Sequence, residues 1–244
     1  MEIFFPLSEQ LTTQNDPSFC GLASLSMALN ALRVDPRRVW KGVWRWFDDS
    51  MLDCCLALEV VQRSGIVLHT LACLARCNGA AVRLVQATDI SEDDFRGEVK
   101  RVCAFKSSSS SSSSSGGVLI ASYSRKALNQ TGDGHFSPIG GYSPANDMVL
   151  IMDVARFKYP PHWVPLPALF QAMQRIDPAT QRARGFLLLT PEREDSPRGC
   201  SACLEDLLHS ESVMGENDCQ PLPPSVEISG NACKHCSVGC GTSR

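Results

Sequence analysis

"TQNDPSFCGLASLSMALNAL", residues 13–32, decides how the rest of the chain is read. From Cys20 onward apolar side chains recur at Leu22, Leu25, Ala28, Leu29 and Leu32, the spacing of one helical face. Asp16 and Ser18 offer capping oxygens ahead of it, and Asp35-Pro36 closes it. The stretch therefore predicts a helix that opens on a cysteine. A thiol in that place sits among unpaired first-turn N–H groups at the positive end of the helix dipole, which favours the thiolate. Gln14, six residues earlier, brings a side-chain amide that could serve with the Cys20 N–H as an oxyanion donor.

Around this helix the chain divides into a helical part and a strand-rich part. Ser50 with Asp53 has the capping-box pattern of a second helix, closing at Gly65, and Ser91 with Asp94 repeats it before "FRGEVKRVCAF". Then the period changes. "GVLIASYS" (117–124), "HFSPIGGYS" (135–143), "MVLIMDVA" (148–155) and "RGFLLLT" (184–190) predict strands, with "SPAND" (143–147) as a turn and "LPALFQAMQRI" (166–176) as a short helix. A helical half followed by an antiparallel half predicts an α+β fold with a cleft between them.

Composition bounds the function classes. The net charge of −3 gives no general attraction to nucleic acid or acidic membranes, and no apolar run reaches membrane-spanning length. "MEIFFPLSEQ" carries Glu2 and lacks the basic flank and cleavage site of a secretory signal, so the expected compartment is the cytoplasm. Twelve cysteines without such a signal point to reduced thiols used for catalysis or metal, not a disulfide framework. Residues 1–190 are expected to form one domain. Within it the unbroken serine run Ser107–Ser115, ending in Gly116-Gly117, reads as a surface insertion (107–117). Residues 191–244, polar and rich in Pro, Gly, Ser and Cys, read as a flexible tail.

Two further residues join Cys20 by chemistry. "TGDGHFSPIGGY" sets His135 at the start of a strand after a glycine-rich turn, and "MVLIMDVARF" sets Asp153 near the end of the next. Adjacent antiparallel strands can bring the two together, and the order Cys, His, carboxylate is that of papain-like nucleophilic catalysis. Spacing alone leaves the plainer readings open: a small core cysteine, a structural histidine, an aspartate that ends its strand.

At these same residues the sequence resembles the phytochelatin synthase family. The resemblance lies in "FCGLASLSMALNAL", "WKGVWRWFDDSMLDCC", "QTGDGHFSPIGGY" and "DVARFKYPPHWVPLP", and covers roughly residues 1–190. It implies a papain-like fold and γ-glutamylcysteine transfer between glutathione molecules, giving (γ-Glu-Cys)n-Gly for heavy-metal detoxification. On this resemblance Cys20 is the nucleophile, His135 the general base and acid, Asp153 its orienting partner and Gln14 the oxyanion donor. Asp177 and Arg184 would hold the donor's γ-glutamyl group. Arg125, Lys158 and Tyr159 would serve the acceptor, and Arg156 is a further cation beside Asp153. Cys54, Cys55, Cys73 and Cys77 also fall on family positions and are metal candidates. No organic cofactor is implied. Cd²⁺ and Zn²⁺ are expected as activators, acting as metal–glutathione thiolate substrates. Expected partners are glutathione, growing phytochelatin peptides and heavy-metal ions, with a homodimer left open and neither nucleic acid nor membrane. The alternatives are a hydrolase that releases glycine from glutathione or its conjugates, and a non-catalytic metal-thiolate buffer.

The remaining features take plainer readings. Trp40, Trp44, Trp46 and Phe47 at near-helical spacing are expected to pack, and His162 in "PPHWVPL" to be structural in a proline-locked turn. Two adjacent cysteines on a helix would point to different faces, so half of the four metal candidates are expected buried. "CSAC" (200–203) and "CKHCSVGC" (233–240) are spaced too far apart for an ordinary zinc site and suit loose thiolate capture.

Overall fold

The structure is a computed structural model, and it describes residues 2–104 and 116–192. The serine run Ser107–Ser115 and the two tail cysteine motifs lie outside the described residues. Among the described residues no helix is long and apolar enough to cross a membrane.

The Cys20 stretch forms the central helix. Helix α1 spans Phe4–Glu9 and α2 spans Cys20–Ala31. Gly21 to Asn30 of α2 are all buried, so the helix is enclosed on every side and not on one face only. Its polar residues are satisfied internally. Ser24 donates to the Phe136 carbonyl at 3.0 Å and Ser26 to that of Ala23 at 3.0 Å. Asn30 exchanges two hydrogen bonds with the Phe47 backbone, at 2.9 and 3.0 Å, which fixes the following loop onto α2. Asp16 and Ser18 do not cap α2. Phe19 is the capping residue, and Asp16 instead accepts from the Ser18 N–H and from Gln62.

The second expected helix starts later than its capping pattern suggested. Asp48 caps a single 3₁₀ turn at Asp49–Met51, Cys54 and Cys55 lie in a bend, and α3 runs over Leu58–Ser64. It stops at Gly65, whose φ of 72° only glycine adopts cheaply. Helix α4 (Leu68–Cys77) and strand β1 (Ala80–Gln86) follow, neither anticipated from the sequence. Helix α5 (Glu92–Cys103) carries the Ser91/Asp94 capping box as expected. Then come β2 (Val118–Ser124), β3 (Gly134–Ser143), β4 (Met148–Ile151), β5 (His162–Pro165) and α6 (Leu166–Met173). A two-residue hairpin, β6 (Ile176–Asp177) and β7 (Arg182–Ala183), leads into β8 (Gly185–Pro191).

Six strands make one antiparallel sheet in the order β1-β8-β2-β3-β4-β5. The fold is thus α+β, but its halves interleave: β1 comes from the helical half and pairs with β8, the last strand. Every residue of β2 is buried, so both of its faces are covered. Helix α2 packs on β2 and β3, α4 on β1 and β8, and α5 and α6 on β2. Phe95, Phe170 and Phe186 join α5, α6 and β8, with ring centroids 5.8 and 5.5 Å apart. Each such fully buried aromatic contributes about 2–3 kcal/mol of burial.

One expectation about packing fails. Among the four aromatics at 40–47 only Phe47 is buried, while Trp40, Trp44 and Trp46 are exposed. The segment is not helical; Lys41 and Trp44 close a short bridged turn, which turns the indoles outward.

Candidate active site

The start of α2 meets the start of β3. Ser24 is bonded to the Phe136 carbonyl, and Gly21 lies against Phe136, where a Cβ would stand 3.4 Å from the ring. This close approach sets the Cys20 thiol beside His135 at the cavity, within electrostatic reach of its ring. His135 Nε2 is 2.9 Å from Asp153 Oδ1, so Nδ1 is the ring nitrogen on the cysteine side. Asp153 lies two residues past the end of β4, in a turn where its Oδ1 also accepts from the Ala155 N–H at 2.9 Å. Cys20, His135 and Asp153 follow one another in one line, in which the histidine is hydrogen-bonded to the aspartate and faces the thiol.

The electrostatics follow from this line. Burial pushes the Cys20 thiol up, but the charge and hydrogen bond of His135 and the N–H groups of Phe136 and Gly21 outweigh it, and the thiol lies below its ordinary value. Burial pushes His135 down, yet the Cys20 thiolate and the Asp153 carboxylate bring it above its ordinary value. Burial raises Asp153, and His135, Arg125 and the Ala155 N–H more than reverse it. The three shifts share one sense: together they favour a thiolate–imidazolium pair backed by an ionised carboxylate.

Gln14 is buried beside this line, held by its own N–H donating to the Val154 carbonyl at 3.0 Å. Its amide nitrogen donates to the Asp16 and Pro17 carbonyls at 2.7 and 2.8 Å, and its Oε1 is buried without a partner. Donation from Gln14 to an oxyanion requires Nε2 to turn from one of those carbonyls. The first-turn N–H of Cys20 needs no such change. A cavity of about 180 Å³ opens at this place, lined by Gln14, Cys20, Arg125, Asp133, His135 and Lys158 among others.

The other expected residues fall into three groups. Arg184 and Asp177 come together across the β6–β7 hairpin, Nη1 to Oδ2 at 3.4 Å, and Arg184 is buried with its Nε unpartnered. Arg156 and Lys158 are exposed just past Asp153, and Tyr159 accepts the Thr131 N–H at 2.8 Å. Arg125 is buried, and its Nη2 reaches both oxygens of Asp153 at 3.0 and 2.8 Å.

The four cysteines converge away from this cavity. Cys55 Sγ lies 3.0 Å from Cys77 Sγ, 3.4 Å from Cys73 Sγ and 3.7 Å from Cys54 Sγ, and the sulfurs of Cys54, Cys55 and Cys77 could hold one ion. The expectation that adjacent cysteines diverge on a helix does not hold, because Cys54 and Cys55 precede α3 in a bend.

Sequence reasoning missed two parts of the site. Asp133, 3.8 Å from Arg184, and Phe157, at the cavity wall, both lie within two to four residues of His135 or Asp153, whose chemistry is the stronger signal in those stretches. Gln130, which accepts from Arg125 five positions away, and His162, read as structural in its turn, were not joined to the site, because their contact at 2.8 Å spans 32 positions.

A helix-start cysteine beside a buried histidine that is hydrogen-bonded to a buried aspartate, on an α+β scaffold, has the arrangement of the Cys-His-acid class of site. The chain belongs to the phytochelatin synthase family, whose family model matches residues 1–186. It is 53% identical over 190 residues to glutathione gamma-glutamylcysteinyltransferase 3 of Lotus japonicus, covering 78% of this chain and 38% of that protein. It is 47% identical over 191 residues to glutathione gamma-glutamylcysteinyltransferase of Schizosaccharomyces pombe, covering 78% of this chain and 44% of that protein. With glutathione gamma-glutamylcysteinyltransferase 1 of Lotus japonicus the match extends over 239 residues at 46% identity, 98% of this chain and 46% of that one. The chain thus spans less than half the length of these curated relatives.

Proposed function

We propose that the chain transfers γ-glutamylcysteine between glutathione molecules through a thioester on Cys20. The observation that carries this is the Cys20–His135–Asp153 line at the cavity, in a chain of this family. The Cys20 thiolate attacks the Cys–Gly amide carbon of the donor, with the Cys20 N–H and a re-aimed Gln14 amide on the oxyanion. His135 Nδ1 gives its proton to the departing glycine amine, leaving γ-Glu-Cys on sulfur. The α-amine of a second glutathione, or of a growing peptide, then attacks the thioester and loses its proton to His135. Asp153 fixes the ring throughout.

The donor's γ-glutamyl ammonium pairs with Asp177 and its carboxylate with Arg184, whose buried Nε supports this assignment. Arg156, Lys158 and Tyr159 serve the acceptor. The catalytic unit is residues 1–190 with a papain-like arrangement, and residues 191–244 are a tail not needed for glycine release. A chain ended at Glu192 tests that division. The compartment is the cytoplasm.

The heavy metal enters as substrate. A cadmium bis-thiolate of glutathione caps the acceptor's sulfur, so its thiolate does not compete at the thioester. A separate fit exists in the cysteine cluster. Thiolates on one tetrahedral zinc stand about 3.8 Å apart, and the sulfur separations of 3.0–3.7 Å around Cys55 close on that with a small expansion. Cys54, Cys55, Cys73 and Cys77 would hold such an ion and supply stability, not chemistry.

The test is product analysis by mass spectrometry after incubation with glutathione, with and without Cd²⁺, and with S-methyl glutathione under chelation. Ladders spaced by γ-Glu-Cys, including those from S-methyl glutathione without metal, are expected. Glycine and γ-Glu-Cys alone would make the chain a hydrolase. Metal binding without any product would make it a thiolate buffer.

A further inference from the structure

We propose that Arg125 is a positioning residue for the transfer reaction, holding the Asp153 carboxylate on His135, and is not the acceptor's cation. The proposal rests on the reading of Cys20, His135 and Asp153 as the reacting set. Arg125 is only 2% exposed, and its Nη2 donates to Oδ1 and Oδ2 of Asp153 at 3.0 and 2.8 Å. Oδ1 has three donors: His135 Nε2, the Ala155 N–H and Arg125. Among the described residues Oδ2 has Arg125 as its donor. Turning the guanidinium to a substrate carboxylate would leave that oxygen buried and ionised without a partner, a costly state.

The arginine is itself held from behind. Its Nη1 donates to Gln130 Oε1 at 2.8 Å, and Gln130 Nε2 lies 2.8 Å from His162 Nε2. His162 Nδ1 is 2.8 Å from the Pro160 carbonyl, so the proton sits on Nδ1 and Nε2 accepts from the Gln130 amide. Each contact in the row pairs a donor with an acceptor, from Pro160 back to His135. The Tyr159 ring covers the guanidinium at 4.9 Å, and the Tyr159 hydroxyl accepts from Thr131. The backbone is fixed as well: the Arg125 N–H donates to Asp133 at 2.7 Å, and its carbonyl accepts from Leu128 and Gln130. Tyr159 and His162, assigned above to the acceptor and to a turn, also support this row. A guanidinium held at both Nη atoms sets geometry. Acceptor charge then falls to the exposed Arg156 and Lys158.

The test compares Arg125→Met and Arg125→Lys with the wild-type chain in single turnover with glutathione. Acylation of Cys20, read by peptide mass spectrometry, is measured separately from peptide extension. In Arg125→Met acylation falls about 10²-fold. Its acid limb moves to higher pH, because Asp153 loses a cation that keeps it ionised. Arg125→Lys restores the charge but not the two-oxygen grip, so the acid limb returns and the rate recovers in part. If Arg125→Met does not fold, Arg125→Lys decides by its rate: a clear loss of acylation supports positioning. Wild-type acylation and an unmoved acid limb, with only extension lost, would overturn the proposal and make Arg125 an acceptor residue. Failure of the underlying reading looks different: the wild-type chain then forms no adduct at Cys20.

Discussion

Cys20 and Cys103 are the same residue at opposite ends of two helices. Cys20 is the first residue of α2 and Cys103 the last of α5. Burial pushes both thiols up. At Cys103 little opposes it, and the thiol rises to about 12. At Cys20 the histidine and the neighbouring N–H groups reverse the effect, and the thiol drops below its ordinary value. The dipole adds in the same sense at each end, favouring the thiolate at an N-terminus and opposing it at a C-terminus. Reactivity therefore comes from what surrounds the sulfur, not from the cysteine or its burial.

The largest expected effect separates the two residues outright. Cys20→Ser abolishes glycine release, because a neutral hydroxyl is a far weaker nucleophile than a helix-end thiolate. Cys103→Ala leaves the rate within about twofold and costs about 1 kcal/mol of stability, the ordinary cost of a modest core change. Equal losses in glycine-release assays of both variants would erase the contrast.

Next in size is Asp153→Asn, which keeps the shape and removes the charge behind His135. Glycine release falls about 10²–10⁴-fold through the wrong ring tautomer, and leaving Arg125 buried without its anion costs about 3 kcal/mol. The acid side of the stability profile changes too. The folded-state value of Asp153 is depressed, so its contribution is whole above its unfolded value of about 3.9 and is lost as pH falls through the folded value. Acid denaturation followed by circular dichroism should show this loss in the wild-type chain and not in the variant. Parallel acid profiles for the two would mean that the carboxylate is not held as described.

A smaller effect sharpens the donor side. A Cβ at Gly134 would stand 2.6 Å from Arg184 Nη1, so Gly134→Ala displaces the guanidinium from Asp177. The donor KM should rise about tenfold, equivalent to about 1.4 kcal/mol, while Cys20 alkylation by iodoacetamide stays unchanged. Loss of alkylation would show that the turn before His135 serves the nucleophile instead. The smallest effect is expected at the clustered thiols: Cys54→Ser should weaken zinc retention in equilibrium dialysis and leave most of the glycine release.

Local signals were legible in the sequence, and long-range ones were not. The α2 helix, the Ser91/Asp94 box and the stop at Gly65 are written in consecutive residues, and each appears in the structure. Strand β1 was hidden because an edge strand with Arg83 on it has weak alternation. Strand β5 was hidden by its flanking prolines, which an edge position tolerates. The Ser50 signal misled because Asp48 does the capping and the Cys54–Cys55 bend delays the helix. His135 and Asp153 could be paired from strand order. The grip of Arg125 on Asp153, 28 positions away, has no periodic trace, and an arginine near a glycine-rich turn reads first as surface.

The central claim is that Cys20, of all the thiols, carries the acyl group. The direct measurement is to mix the chain with glutathione, quench with acid, digest, and map the mass of one γ-Glu-Cys unit onto the cysteine peptides. The account predicts that mass on the peptide holding Cys20, as a thioester released by hydroxylamine, and on neither Cys103 nor the Cys54–Cys77 cluster. A γ-Glu-Cys thioester on any other cysteine, or glycine release from a chain whose Cys20 stays unmodified and alkylatable throughout turnover, would contradict it.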